Sequence, residues 1–449
     1  MRVLLFRSLC DTGGVSTWML AHAAELERVG VPCDFWFCRS SARFPEFEAT
    51  KQARVGTLSA LVPVLESGRY DVVHLPSGDP LADMVARLAP RGTKIVATSH
   101  GSVANMFTSR SCDALTAVSQ GMADLNQPHT DLAIDVVRNG VDVARFTPDG
   151  ATQDVEGGPI VAFVGRTTAD QKEFPRFTRI AAHLVERGYR VWVADAHNAG
   201  WDALEGRGCT RIPIERWQRW SHDEISVLYR SIARSGGLVL LTSKYEGFPF
   251  VPVEAAACGA PTATADVVGA REAVSVGTTG MLFAADAADA DVATAIVHWL
   301  ENRGALDRWI ARCAEHVHRT FSMPAMTAHY LEIYRRPAPR IQTLPVSASN
   351  TPSAEERYLQ GWWRDQQPIR AHRLLQAVDG FVDAGYPDHA LFALALAARV
   401  HLASLLSRKW LPRSMWALAR IAGRPQRLRR RLRDQDRSAA VVTAPVAAT

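Results

Sequence analysis

The feature that most constrains this chain is a repeated alternation of short apolar runs with longer stretches of helical periodicity. In the first third the runs are residues 3–6, 33–38, 72–75, 95–99, 117–119 and 134–137. Runs of this length separated by helix-length segments are the pattern of βαβ units, and they predict a parallel sheet over residues 1–155. A polar, glycine-rich stretch, GATQDVEGGP at 150–159, then precedes a second set at 160–164, 190–194, 238–241 and 281–283. The break reads as a domain boundary. At 449 residues the chain exceeds one ordinary core. The fold class expected is α/β: two Rossmann-like, doubly wound domains, 1–155 and 156–336, facing a cleft. Residues 337–353, rich in Pro, Ser and Thr, read as a linker, and 354–449 as a helical extension ending in a basic, partly disordered tail.

Composition narrows the class. An apolar content of 47% with 22% charged residues is that of a globular protein. The seven cysteines contain no C-x-x-C pair, so neither a disulfide framework nor a zinc site is suggested. The apolar run before Arg7 is too short for a signal peptide, and the run at 390–398 is about half of what a spanning helix needs. The expectation is a cytoplasmic chain. The net charge of +5 is uneven: residues 408–437 carry eleven Lys/Arg against two Asp, which leaves the remainder at −4. With Trp410, Trp416 and neighbouring aliphatic residues, that tail has the makeup of a segment that lies on an anionic membrane surface. A solvated basic face is the rival reading, and nucleic acid the weakest of the three.

The richest stretch is LVLLTSKYEGFPFVPVEAAACG at 238–259. It reads as an apolar strand, a polar turn and a helix entered through Pro249 and Pro252, with Glu246 and Glu254 eight residues apart across the turn. Ligands of open α/β sheets bind at such strand ends, and helix N-termini favour anions. Gly165-Arg166 follows the first strand of the second set, with Lys172 six residues beyond the arginine. An arginine and a lysine facing a helix N-terminus suit a diphosphate whose charge grows as it departs. Read one at a time, each residue has a plainer role. Arg166 and Lys172 could be surface ion pairs, Glu254 could complement a helix dipole, Glu246 could be a solvated loop carboxylate, and His100 could be a core histidine.

Taken together, Gly165-Arg166…Lys172, the E-x7-E of Glu246 and Glu254, Gly269…Glu272 and Thr279-Gly280-Met281-Leu282-Phe283 resemble the retaining glycosyltransferases of family 4. Gly13-Gly14-Val15, Ser99-His100-Gly101, Ala117-Val118-Ser119 and Asn139-Gly140-Val141-Asp142 agree, so the resemblance runs over residues 1 to about 336. It implies the GT-B architecture, with the nucleotide sugar on the second domain and the acceptor, a glycan or lipid-linked molecule, on the first. It implies that Arg166 and Lys172 hold the donor diphosphate and stabilise the departing nucleotide. Glu254 would bind the ribose hydroxyls and Glu246 the transferring sugar. The backbone around Gly165, Gly247, Phe248, Phe250 and Val251 would complete the donor site. His100 would reach the reacting centre from across the cleft, and Gly14 would let the first loop approach the phosphates. No cofactor or protein-bound metal is expected. One departure stands out: Asp195-Ala196-His197-Asn198-Ala199-Gly200 replaces the usual glycine-containing loop, and Asp195-x-His197, like Asp289-x-Asp291, offers metal-ligand types. A nucleotide-sugar epimerase, or a silent scaffold on the same architecture, remains an alternative to transfer.

Overall fold

The computed structural model describes residues 1–337 except 12, 42–43, 51, 77–80, 102–111, 131, 196 and 222–223, together with 354–405 and 415. For 129, 354–367 and 403–405 it describes the backbone alone. The linker assigned to 337–353 and the basic stretch 408–437 therefore lie outside the described residues, apart from Pro337 and Met415.

The first sheet has seven strands: β1 (Val3–Leu9), β2 (Cys33–Arg39), β3 (Ala53–Val55), β4 (Val72–Leu75), β5 (Lys94–Ser99), β6 (Ala114–Ala117) and β7 (Ile134–Val136). The second has six: β8 (Ile160–Gly165), β9 (Arg190–Asp195), β10 (Arg216–Gln218), β11 (Leu238–Leu241), β12 (Thr262–Ala265) and β13 (Gly280–Phe283). Every pairing between them is parallel. The orders are β3-β2-β1-β4-β5-β6-β7 and β10-β9-β8-β11-β12-β13. Strand order reverses between β1 and β4 in one sheet and between β8 and β11 in the other, and such a switch point opens a crevice at the carboxyl ends of the strands. Helices cover both faces, which is why β4, β11 and β12 are buried along their whole length, and β11 reads as an unbroken apolar run.

The expected pair of doubly wound sheets is therefore present, with differences of detail. Three strands were not expected. β3 and β10 are three-residue edge strands with half-exposed sequences, ARV and RWQ, and β12 is TATA, whose small side chains carry little apolar signal. The run expected at 117–119 is β6 shifted toward the N-terminus, because Ser119 leaves the strand to cap the helix Gln120–Asn126, its side chain accepting from the Met122 amide.

The chain passes between the two sheets twice. The second passage delivers the helix Met323–Arg335 back onto the first sheet, where Met326, Tyr330, Leu331 and Tyr334 join the core formed by Val3, Leu5, Trp18 and Phe35. A buried polar chain fixes it there. Tyr334 Oη lies 3.0 Å from His22 Nε2 and 2.6 Å from His74 Nδ1, His74 Nε2 lies 2.7 Å from Thr98 Oγ1, and His22 Nδ1 lies 3.0 Å from Thr327 Oγ1. Burial lowers the pKa of both histidines, that of His22 to about 3, so each ring is neutral and can donate at one nitrogen while accepting at the other. The Lys94 ammonium bonds the carbonyls of Ile333 and Arg336 at the helix end. The two passages are themselves joined by backbone bonds, Val141 N to Phe321 O at 2.7 Å and Met323 N to Val141 O at 3.1 Å.

The helices Ala354–Asp383 and Pro387–Leu405 form a hairpin that is part of the first domain's core. Leu374, Leu375, Val378, Phe381, Ala390 and Leu394 are buried with Leu58, Leu61, Val62 and Leu81. Arg370, 2% exposed, sits in the same contact near Asp83, whose carboxyl burial raises to about 6. Truncating a fully buried phenylalanine removes its transfer free energy and leaves a cavity. Phe381→Ala is therefore expected to lower unfolding stability by about 3–5 kcal/mol, measured by urea denaturation followed by far-UV circular dichroism. An unchanged midpoint would mean that the hairpin is not part of this core.

Candidate active site

At the second switch point the loop after β8 is tied to the end of β11. Thr242 Oγ1 donates toward the carbonyls of Lys172 (3.1 Å) and Glu173 (3.0 Å), and the Lys244 amide donates to Gln171 O at 2.9 Å. These bonds hold Lys172 over the strand end, and its Nζ lies 2.6 Å from Glu246 Oε1. Ser243 Oγ donates to the same oxygen at 2.7 Å, and Gln171 Nε2 approaches Oε2 at 3.4 Å. Glu246 is 6% exposed, and its own amide donates to Val268 O at 3.0 Å. A carboxylate so enclosed needs a cation and hydrogen-bond donors, and it has both. Gly165 ends β8 with φ 156°, a conformation that other residues rarely adopt, and a Cβ there would make ordinary contacts with the Phe163 ring (3.5 Å) and Lys172 Cδ (3.7 Å). Arg166, next in the chain, is exposed; its carbonyl accepts from the Ala169 amide at 3.1 Å, while its guanidinium has no ion-pair or hydrogen-bond partner among the described residues and is available to a ligand.

The helix Phe250–Ala257 starts beside this pair. Its N-cap is Pro249, which makes no side-chain cap, and among the described residues the amides of Phe250 and Val251 meet no acceptor. Phe248 points into the core, its ring 5.4 Å from Phe321, and only its backbone faces the loop. Glu254 is 8% exposed and its Oε2 accepts from Tyr229 Oη at 3.1 Å. Burial pushes its pKa up to about 7, against the opposing effects of the Tyr229 hydroxyl and the more distant Arg145 charge.

The opposite wall comes from the first domain and meets this loop closely. A side chain on Gly247 would collide with the His100 carbonyl, and Gly247 O accepts from Ser119 Oγ at 2.7 Å. Phe248 O accepts from Asn139 Nδ2 at 3.0 Å. Glu272 crosses to cap the helix Gln120–Asn126, accepting from the amides of Gln120 (2.9 Å) and Gly121 (2.8 Å) and pairing with Arg138 at 2.9 Å. His100 thus stands at the meeting of the two domains. Its ring is 5.1 Å from Trp18, and its Nε2 is enclosed without a partner among the described residues. Burial, with Arg7 nearby, lowers its pKa to about 3, so the imidazole is neutral. Gly14 opens the helix Gly14–Arg28, and a Cβ there would lie 3.5 Å from the Phe250 ring, an ordinary contact. The loop ahead of it is organised by Asp11, which binds Arg7 (2.7 Å), the Gly13 amide and Ser16.

The leading carboxylates of the two motifs with metal-ligand types, Asp195 and Asp289, have other work. Asp195 accepts from Thr167 Oγ1 at 2.8 Å and from the amides of His197 (3.1 Å) and Ala199 (2.7 Å). Burial alone would raise its pKa, but these donors hold it below the usual range. Asp289 pairs with Arg176 and Arg179. Among the described residues no three His, Cys, Asp or Glu side chains converge as a metal site would require.

Two family models match the chain, the glycosyltransferase family 4 model over residues 12–145 and the glycosyl transferases group 1 model over 158–302. The chain belongs to the family 4 glycosyltransferases. It is 34% identical over 218 residues to a D-inositol 3-phosphate glycosyltransferase of Mycobacterium bovis, covering 45% of this chain and 44% of that one. A phosphatidyl-myo-inositol mannosyltransferase of Propionibacterium freudenreichii is 28% identical over 222 residues, with 45% and 54% covered. The chain therefore spans about half the length of the curated relatives it matches. The fold is that of the Anabaena HepE structure in complex with UDP-glucose (TM-score 0.62, 19% identity, 74% of this chain and 99% of that one) and of a Rickettsia africae glycosyltransferase (0.61, 16%, 74% and 98%). These are GT-B proteins, and the GT-B expectation holds.

The structure brings Lys172, Glu246 and Ser243 into direct contact and sets Arg166, Gly165 and the Phe250 and Val251 amides around them. Sequence reasoning missed Tyr229 and Ser243 as supports of the two glutamates and Ser119 and Asn139 as the other wall's anchors, although Ser119 and Asn139 lay within quoted motifs. Glu254 gives a pH signature. Its folded-state pKa stands above the ordinary 4.5, so its contribution to stability is complete below about pH 4.5 and is lost as pH rises through about 7. Wild type is expected to lose on the order of 1–3 kcal/mol relative to Glu254→Gln between pH 4.5 and 8, measured by urea denaturation at each pH. A pH-independent difference would show that Glu254 titrates normally.

Proposed function

We propose that this glycosyltransferase acts with retention, moving a hexose or related sugar from a nucleotide-sugar donor to a glycan, glycolipid or other cell-envelope acceptor. The observation that carries the reading is the Lys172–Glu246 pair, 2.6 Å apart at the β8/β11 switch point, beside the Arg166 guanidinium and two helix amides that have no partner among the described residues. In this reading the diphosphate bridges the Phe250 and Val251 amides, Arg166 and Lys172, and the charge that develops on the leaving nucleotide meets fixed cations in a water-poor site. Glu254 accepts from the ribose hydroxyls. Glu246 does not stand as a free nucleophile, since Lys172 and Ser243 both hold its Oε1. It binds sugar hydroxyls instead, and the acceptor attacks on the face the nucleotide leaves, which retains configuration. The neutral imidazole of His100 hydrogen-bonds the donor sugar from the other wall without serving as a cationic acid. HepE was seen with UDP-glucose, which makes UDP the first nucleotide to try. A cytoplasmic enzyme held at the membrane by residues 408–437 fits a lipid-linked acceptor, and no described helix is long and apolar enough to cross a membrane.

The test is a thermal-shift panel of UDP, GDP, ADP and their sugars, followed by donor-hydrolysis rates. One nucleotide is expected to raise the melting temperature by mass action. Lys172→Ala is expected to lower the rate on the order of 10²–10³-fold, as loss of one transition-state donor does. A chain that shifts with no nucleotide, or a Lys172→Ala variant at full rate, would overturn the reading.

A further inference from the structure

A cavity of about 210 Å³ lies where the C-terminal hairpin meets the carboxyl ends of the first sheet. Its floor is the end of β1 at Ser8 and of β2 at Arg39, with Thr57 and Leu58 beyond β3, and its roof is the helix Ala354–Asp383 at Arg373 and Gly380. The roof is bonded to the floor, Arg373 Nη1 donating to Ser8 Oγ at 3.2 Å. Arg39, Arg373 and the hydroxyl residues Ser8, Thr57 and Ser59 belong to its lining, which is otherwise mostly apolar, and among the described residues no carboxylate lines it. Leucine and alanine side chains complete the wall. Guanidiniums with hydroxyl donors in a partly enclosed site recognise phosphate oxygens, and the apolar wall accommodates carbon rather than water. The cavity opens on the strand-end side of the first sheet, the side on which the loop after β1 and His100 at the end of β5 approach the donor site. The similar solved structures cover 74% of this chain and nearly all of their own length.

We propose that this cavity is a subsite for a phosphate ester carried by the sugar acceptor, with Arg373 and Arg39 as its anion-binding groups and the C-terminal hairpin as its specificity element. It rests on the glycosyl-transfer reading for its role as an acceptor site, whereas its ligand chemistry rests on the cavity alone. The phosphate group can belong to a soluble polyol phosphate or to a lipid headgroup.

The experiment is a ³¹P NMR titration of the full chain with glycerol 3-phosphate, with glycerol as a competitor and dihexanoyl phosphatidate as the lipid-borne ester. Saturable binding is expected that glycerol does not displace. It should weaken tenfold or more in Arg373→Gln, weaken likewise in Gly380→Leu, which fills the roof, and persist in Lys172→Ala. Tighter binding of the phosphatidate supports the proposal with a lipid headgroup as source, and equal binding supports it with a soluble ester. No saturable binding, binding retained in both Arg373→Gln and Gly380→Leu, or binding lost in Lys172→Ala instead would overturn it. The UDP thermal shift is read separately on every variant. A preserved shift shows that the variant is folded, and a shift absent from wild type counts against the transfer reading and leaves the phosphate site to its own titration.

Discussion

The contact between Lys172 and Glu246 is the one on which the site depends. A carboxylate this enclosed is expensive to keep ionised, and Lys172 with Ser243 provides the charge and donor that make it tolerable. The pair also holds the loop after β8 against the end of β11, together with the Thr242 hydroxyl. An anionic ligand entering between them competes for the same ammonium. In that competition Ser243 and Gln171 keep Glu246 partnered, so the lysine can turn toward a diphosphate without leaving a bare charge behind.

The other wall is positioned by polar contacts to backbone as much as by packing. Ser119 and Asn139 take the carbonyls of Gly247 and Phe248, and Glu272 takes the two leading amides of a helix in the first domain. These contacts set how close His100 comes to Glu246's loop, and Gly247 is the residue that lets them meet. A bond to a main-chain carbonyl is tolerant of side-chain identity on the accepting side. The register of the two walls therefore depends on a few small polar residues.

Much of this was legible in the sequence, and the reasons are local. β1, β2, β4, β8, β9 and β11 announce themselves because strands buried on both faces are mostly apolar, and the strand-end motifs carry their chemistry in contiguous residues. β12 escaped notice since threonine and alanine fill a tight interior as well as larger side chains do. The partners of Glu254 and Glu246 were harder: Tyr229 lies 25 residues from Glu254, and nothing in a helix's sequence says which distant carboxylate its tyrosine will meet. The same limit hid the hairpin's burial. Leu374 and Phe381 have ordinary helical spacing, and only the fold shows that their partners are Leu58 and Leu61, some 300 residues earlier.

The double passage of the chain between its two sheets has a mechanical meaning. Val141 is bonded to both Phe321 and Met323, so the two connections run side by side as a short ribbon rather than as independent tethers. A single tether allows twist in any direction, whereas two tied strands bend readily about one axis and resist torsion about the others. Gly140 lies flat against Ser322 and Met323, which keeps the ribbon thin. A ribbon of this build resists relative twist of the two halves, and so it helps to keep Lys172 and His100 in register across the cleft.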